Sequence, residues 1–588
     1  MKHYRLPGPL GLLIVLLALV IPASAQTNLE PAACPFPLPP GEVEGQTITC
    51  GYFTVPQDRA EPAGPTVRLA YAVLSATGPA LPDPIVYLEG GPGGSALTGL
   101  DLWVNSALRV TRDIVLFDQR GAGYSQPRLI CTEYNTLSED ASDEDFIAAM
   151  TACRDRFISM GVDLSDFNSA NSAQDTADLA TALGYNTYNL YGISYGTRLA
   201  LTVMRDRPAG LRSVVLDSTY PPLVDAYEEQ SRNSYRALEQ LFNDCAADPA
   251  CASAYPDLRA RFYALVDRLN FEPATDPEEF PVFGDDIIGL MVEALYNTPL
   301  LPYLPLLIDE LDRGVFDTYL GILNGEIPPY SEIAAMGDSF SMNNDPVIAF
   351  VDQLYFLTEL WSDEDFFMLF DDIVAWGGSR TGLEALITDY FVTEEASDLL
   401  GLLDTVPEAD LLRIADEFFV EDEDIFTTLE DLETAEDIVD YSDTDGMFNS
   451  VECYEELPFN SFEDAEAIAA ELPAAIADLE LFNLEMQLIT CDIWLDSAAP
   501  EVETLPVSSD VPVLVLAGNY DPVTPPAWGE LAAQSLPNSL FLSFPGIGHA
   551  VIDGGDCPRQ IVTAFINAPN VAPDTRCMST LRVDFVLP

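Results

Sequence analysis

A chain of 588 residues with 96 Asp and Glu against 25 Lys and Arg carries a formal charge of −71, yet 48% of its residues are hydrophobic. That apolar content excludes a disordered acidic tail, and the charge excludes nucleic acid as a partner. The acidity reads first as solubility and second as a field that attracts amine-bearing substrates.

Along the chain, Lys2 and Arg5 precede an apolar run over residues 10–21 and then Ala23-Ser24-Ala25. This is the pattern of a secretory signal peptide over residues 1–25, cleaved after Ala25, and it implies an extracellular or periplasmic destination. No other stretch resembles a membrane span, so no integral membrane segment is expected after cleavage. The one lysine is Lys2, which leaves the remaining chain without Schiff-base or Ser-Lys chemistry. Ten cysteines follow the leader, and pairing between sequence neighbours is expected: 34 with 50, 131 with 153, 245 with 251, 453 with 491, 557 with 577. None has CxxC spacing, so neither a metal nor another cofactor is expected.

"TVRLAYAVL" (66–74) alternates as a half-buried strand does, while "PIVYLE" (84–89) and "DIVLFD" (113–118) read as fully buried strands. "NSAQDTADLATALG" (171–184) reads as a helix with a capping pattern at Ser172 and Asp175. It leads to the strand "YNLY", a helix from about Tyr195 to Asp206 and the strand "SVVLDS" (213–218). This succession implies an α/β fold with a mostly parallel sheet covered by helices, begun by residues 26–223. From 224 to 504 the strand signals give way to acidic amphipathic helices such as "EADLLRIADEFFVEDEDIFTTLEDL". "VPVLVLAG" (511–518) and "SLFLSF" (539–544) then resume the strand pattern within residues 505–588. One sheet domain interrupted by a large helical cap is the economical reading.

The chemistry centres on "GISYG", residues 192–196, between a buried strand and a helix. A sharp strand-to-helix turn there would lift the Ser194 hydroxyl above the sheet edge. Taken alone the pentapeptide fits a structural turn equally well, and what separates the two is a base. Outside the leader the chain has one histidine, His549, in a loop after the last strand. Asp521, after the strand ending near Gly518, falls between serine and histidine in chain order and suits the orienting acid. Oxyanion donors are expected at the Tyr195 amide and in the glycine loop "YLEGGPGGSAL", with Gly91 first and Gly90 next. "FDQRGAGYS" reads as structural, with Arg120 pairing locally.

Together "EGGPGGSA", "LFDQRGAGYSQP", "GISYGTRLA", "VVLDSTYPP" and "LAGNYDPVTPP" with "GIGH" resemble the prolyl and tripeptidyl aminopeptidase branch of the alpha/beta-hydrolases. The likeness spans about residues 45–220 and 488–560. It implies an alpha/beta-hydrolase fold, a secreted serine exopeptidase acting on short peptides with free N-termini, and Ser194, Asp521 and His549 as a triad. Glu89 stands where many prolyl aminopeptidases have histidine, which weakens any transfer of proline specificity. The cap stretch "SVECYEELPF" resembles the family's segment near the site, and Glu455, with Glu456 beside it, is the expected anchor of the substrate amine. An esterase or lipase using the same triad is the alternative, and a non-catalytic binding protein on this scaffold is a third reading.

Overall fold

The computed structural model describes residues 28–328 except 40, 136, 138–141, 278–279 and 326, parts of 350–414, and residues 444–588. The expected leader and the acidic helix over 408–432 lie outside the described residues or largely so.

Nine strands form one sheet: β1 (Leu29–Pro31), β2 (Ile48–Pro56), β3 (Thr66–Leu74), β4 (Ile85–Leu88), β5 (Ile114–Phe117), β6 (Tyr188–Ile193), β7 (Leu211–Asp217), and two late strands, Val513–Gly518 and Ser539–Phe544. The order places β5 between β3 and β4, then β6, β7 and the two late strands. β1, β2 and β3 pair antiparallel, as does β3 with β5, and every pair beyond is parallel. β4, β5, β6 and the strand Val513–Gly518 are buried at every position, as runs of Ile, Val and Leu covered on both faces should be.

β7 pairs with Val513–Gly518, although residues 218–512 lie between them. The described residues of that stretch are mainly helical, with their own core around Phe242, Phe262, Ile287, Leu295 and Leu307. Among the described residues it departs from an all-helical cap at a short antiparallel pair, β8 (Ala274–Thr275) with β9 (Pro281–Val282). The late strands are accordingly β10 (Val513–Gly518) and β11 (Ser539–Phe544).

Three expectations shift. β2 carries an alternating pattern that the reading above did not assign to a strand. The helix Ser169–Ala182 is capped by Asn168, whose side chain accepts from the Asn171 amide. Ser172 and Asp175 are buried inside it, and Asp175 takes Arg120 at 2.8–2.9 Å and Arg59 as well. Arg120 therefore pairs across elements and not locally, its guanidinium also donating to the carbonyls of Gln57 and Asp166.

All five disulfides join sequence neighbours: Cys34–Cys50, Cys131–Cys153, Cys245–Cys251, Cys453–Cys491 and Cys557–Cys577. Among the described residues no helix is long and apolar enough to cross a membrane, and no group of His, Cys, Asp and Glu could hold a metal.

Candidate active site

Ser194 lies between β6 and the helix Tyr195–Asp206, with φ 54° and ψ −126°. A non-glycine residue in that region stores strain, and the flanking glycines make it sterically feasible. A Cβ at Gly192 would stand 2.3 Å from the Gly196 carbonyl, and one at Gly196 would stand 2.0 Å from the Leu88 carbonyl. The turn is thus locked against β4 by contacts that no larger residue allows.

Past β4 the glycine loop packs onto the serine, since a Cβ at Gly90 would lie 2.9 Å from Ser194 Cβ. The Gly90 amide is engaged by Glu89 Oε1 at 2.8 Å, while Tyr87 donates to Glu89 Oε2 at 2.9 Å. Gly91, at φ +103°, lines the same cavity as Ser194. Tyr195 is the first residue of its helix, so its N–H precedes the first intrahelical bond. Asp118 holds the loop from below, accepting from Ser95 Oγ, Leu97 N and Tyr124 N at 2.7–3.1 Å.

On the far side, His549 Nδ1 lies 2.9 Å from Asp521 Oδ2. A carboxylate only accepts, so Nδ1 carries the proton and the Nε2 lone pair is free; Nε2 is buried and has no hydrogen-bond partner among the described residues. Thr524 Oγ1 donates to Asp521 Oδ2 at 2.7 Å and lies 3.2 Å from His549 Nδ1, and the amides of Val523 and Thr524 donate to Oδ1. Burial alone would raise the Asp521 carboxyl. The His549 ring and these hydrogen bonds outweigh it and hold the group below its ordinary value.

The cap grips this half of the site. Tyr296, the last residue of the helix Gly284–Tyr296, accepts from the His549 amide at 2.8 Å, and Thr298 Oγ1 accepts from Gly548 N at 3.0 Å. Arg236 of the helix Ala226–Ala247 donates to the carbonyls of Asn519 and Asp521. From the sheet side, Asp217 at the end of β7 accepts from the amides of Val551 and Ile552, just past the histidine.

A cavity of about 290 Å³ opens over Ser194, with Thr524, Trp528, Tyr220, Glu452 and Glu480 in its wall.

Two family models match the chain. The alpha/beta hydrolase fold covers residues 83–275, and the TAP-like protein model covers 481–577. The chain has the alpha/beta-hydrolase fold. Its C-terminal part, which carries Asp521 and His549, is TAP-like. Serine protease Hip1 of Mycobacterium tuberculosis (strain ATCC 25618 / H37Rv) is 27% identical over 46% of this chain and 58% of its own length. Tripeptidyl aminopeptidase of Streptomyces coelicolor is 31% identical over 34% of this chain and 40% of its own, and Carboxylesterase B of M. tuberculosis (strain CDC 1551 / Oshkosh) is 29% identical over 46% and 56%. The matches span between two fifths and three fifths of these relatives.

The two glutamates expected at the substrate amine do not line the cavity over Ser194. Glu455 accepts from Ser169 N and, at 2.6 Å, from Ser169 Oγ. Glu456 pairs with Arg198 at 2.7 Å and accepts from Ala226 N. Both carboxylates tie the cap to the helix that follows Ser194, and neither lines the cavity. The cavity carboxylates are Glu452, one turn earlier, and Glu480, which accepts from Ser234 Oγ at 2.6 Å. Burial, with Glu456 nearby, pushes Glu452 up to about 8 against the pull of Arg198. Of the three glutamates in "SVECYEE", Glu452 is the one that lines the cavity. Nothing in the sequence distinguishes Glu480 from its acidic neighbours, Arg236 lies in no motif, and Thr524 stands within "LAGNYDPVTPP" without a role of its own in the sequence.

Proposed function

We propose that this hydrolase is a secreted serine exopeptidase that cleaves peptide bonds near free N-termini. The observation that carries the reading is Glu452, a buried carboxylate in the wall of the cavity that holds Ser194. A buried acid with no full counter-charge of its own favours a ligand that brings a cation, and the ammonium of a peptide N-terminus is such a group. Glu480, in the same wall, adds a second acceptor.

In this reading Ser194 Oγ attacks the scissile carbonyl while His549 Nε2 takes its proton, and Asp521 stabilises the imidazolium through Nδ1–H. The oxyanion rests on the amides of Gly91 and Tyr195, Gly90 being engaged by Glu89. His549 then protonates the leaving amine, and water hydrolyses the acyl-enzyme with the roles reversed. The cap over the cavity limits access to short peptides.

An esterase is the second reading, favoured by the similarity to a relative named Carboxylesterase B. The deciding experiment is a panel of aminoacyl, prolyl and tripeptidyl fluorogenic amides, free and acetylated at the N-terminus, with wild type and Ser194→Ala. Cleavage confined to free N-termini and lost in the variant supports the exopeptidase. Indifference to acetylation, or turnover of esters alone, moves the assignment to an esterase.

A further inference from the structure

A second cavity, of about 490 Å³, lies between the residues just after the glycine loop and the helix Asp556–Asn567. Its wall includes Ile193, the residue before Ser194, but none of the residues that line the cavity over the serine. Three aromatic rings form one side. Tyr87 and Trp103 have centroids 4.7 Å apart, and Trp103 meets Tyr191 edge-on at 5.5 Å. The Trp103 indole N–H is buried without an acceptor among the described residues. Each tyrosine hydroxyl is already used, Tyr87 by Glu89 and Tyr191 by Asp217 at 2.6 Å. The wall is therefore held from behind, with Tyr87 3% and Trp103 5% exposed and Tyr191 fully buried beneath them.

Opposite charges complete the lining. Arg559 faces the cavity with Asp553 and Asp556, and both carboxylates act on the guanidinium through space, yet among the described residues no ion pair or side-chain hydrogen bond joins Arg559 to Asp553. Burial lowers the Arg559 guanidinium and raises Asp553, as expected of charges without full compensation. Protein interiors are packed closely, and unpaired charged groups beside an aromatic wall are the composition of a ligand site and not of a packing defect. An anion alone would meet Asp553 and Asp101 with repulsion, while a cation alone would leave Arg559 unpaired. A molecule bearing both charges satisfies both ends.

We propose that this cavity binds a zwitterionic small molecule of the amino-acid class, with its carboxylate on Arg559, its amine on Asp553 and its side chain against Tyr87 and Trp103. The site stands independently of the peptidase reading, because none of its residues belongs to the cavity over Ser194.

The test is calorimetric titration of the full chain carrying Ser194→Ala with L-phenylalanine, with phenethylamine, which lacks the carboxylate, and with 3-phenylpropanoate, which lacks the amine. L-Phenylalanine is expected to bind, and loss of either ligand charge, or Arg559→Gln or Asp553→Asn, weakens binding about tenfold or more, as expected for one charge-assisted contact. Arg559→Lys retains most of the affinity and shows that the fold tolerates change there, and Glu452→Gln leaves the titration unaltered. Three results would overturn the proposal: no binding up to about 10 mM, equal affinity for phenethylamine, or binding abolished by Glu452→Gln and untouched by Arg559→Gln.

Discussion

The ring of Tyr296 lies parallel to that of His549, with centroids 4.2 Å apart and an interplanar angle of 15°. Tyr296 belongs to the cap and His549 to the sheet domain, so the imidazole is sandwiched by a residue that the sheet alone does not provide. Its backbone carbonyl also holds the His549 amide. Replacing the ring removes the stack and leaves the backbone bond. Tyr296→Ala is expected to lower kcat by about 3- to 10-fold, matching the roughly 0.5–1.5 kcal/mol of an aromatic pair, while Tyr296→Phe stays near wild type. Steady-state kinetics on the best amide of the panel checks this.

Thr524 touches both Asp521 and His549, yet has no proton-transfer role. It is a positioning residue, and Thr524→Val should lower kcat about tenfold by removing one charge-assisted hydrogen bond to the acid. KM should change little. Thr524→Ser, which restores the hydroxyl, should recover most of the rate, an outcome that a packing role for the methyl group would not give.

Glu452 is expected to set KM. Glu452→Gln should raise KM for free-amine substrates and cut kcat/KM by roughly 30-fold, the equivalent of about 2 kcal/mol for a truncated buried charge pair, with a smaller effect on kcat. In the free enzyme the group is neutral below about 8 and anionic above it, while the substrate amine loses its charge near pH 8. The wild-type kcat/KM profile should therefore peak near pH 8, and the rising limb belonging to Glu452 should vanish in the variant.

Stability should fall as pH rises. Burial raises Asp118 and Asp553 to about 7 and Glu452 to about 8, from ordinary values of 3.8 and 4.5. Each group binds its proton more tightly in the folded state than in the unfolded one. Their contribution is thus fully present below about pH 4 and is lost as pH rises through about 7 to 8. Melting temperatures taken from about pH 5 to pH 8.5 should decline, and Glu452→Gln should flatten the upper part of that decline.

The Cys453–Cys491 disulfide closes a 38-residue separation and joins the two helices that carry Glu452 and Glu480. Replacing both cysteines by serine should cost about 4 kcal/mol by the loop-entropy relation. Denaturant titration measures it, and an unchanged midpoint would contradict the prediction.

The parts of this site that a local pattern encodes were legible. "GISYG" between a buried strand and a helix fixes its own geometry, because the glycines answer to contacts within a few residues and to one neighbouring strand. The strands β3 and β11 were readable to the residue, since their apolar runs end at turn residues. What escaped was set by packing across elements. Asn168 replaces Ser172 as the helix cap because the chain enters the helix earlier than the capping pattern suggested. Glu455 and Glu452 lie one turn apart on the same helix, and only the positions of Ser169 and Arg198 decide which one turns away from the cavity. Tyr296 and Arg236 meet the late loops from a distance of more than 200 residues, and no spacing rule announces such a meeting.

The separation of β7 from its partner β10 also bears on timing. Ser194 and its elbow belong to strands that can pair among themselves as soon as they are made, whereas Asp521 and His549 ride on the last two strands and are clasped by the cap. During synthesis Ser194 is present for roughly 350 residues of further elongation, about half a minute at ordinary translation speeds, before the histidine proposed as its base. On the proposed mechanism the chain cannot act on its neighbours, or on itself, until the loop that carries His549 has docked.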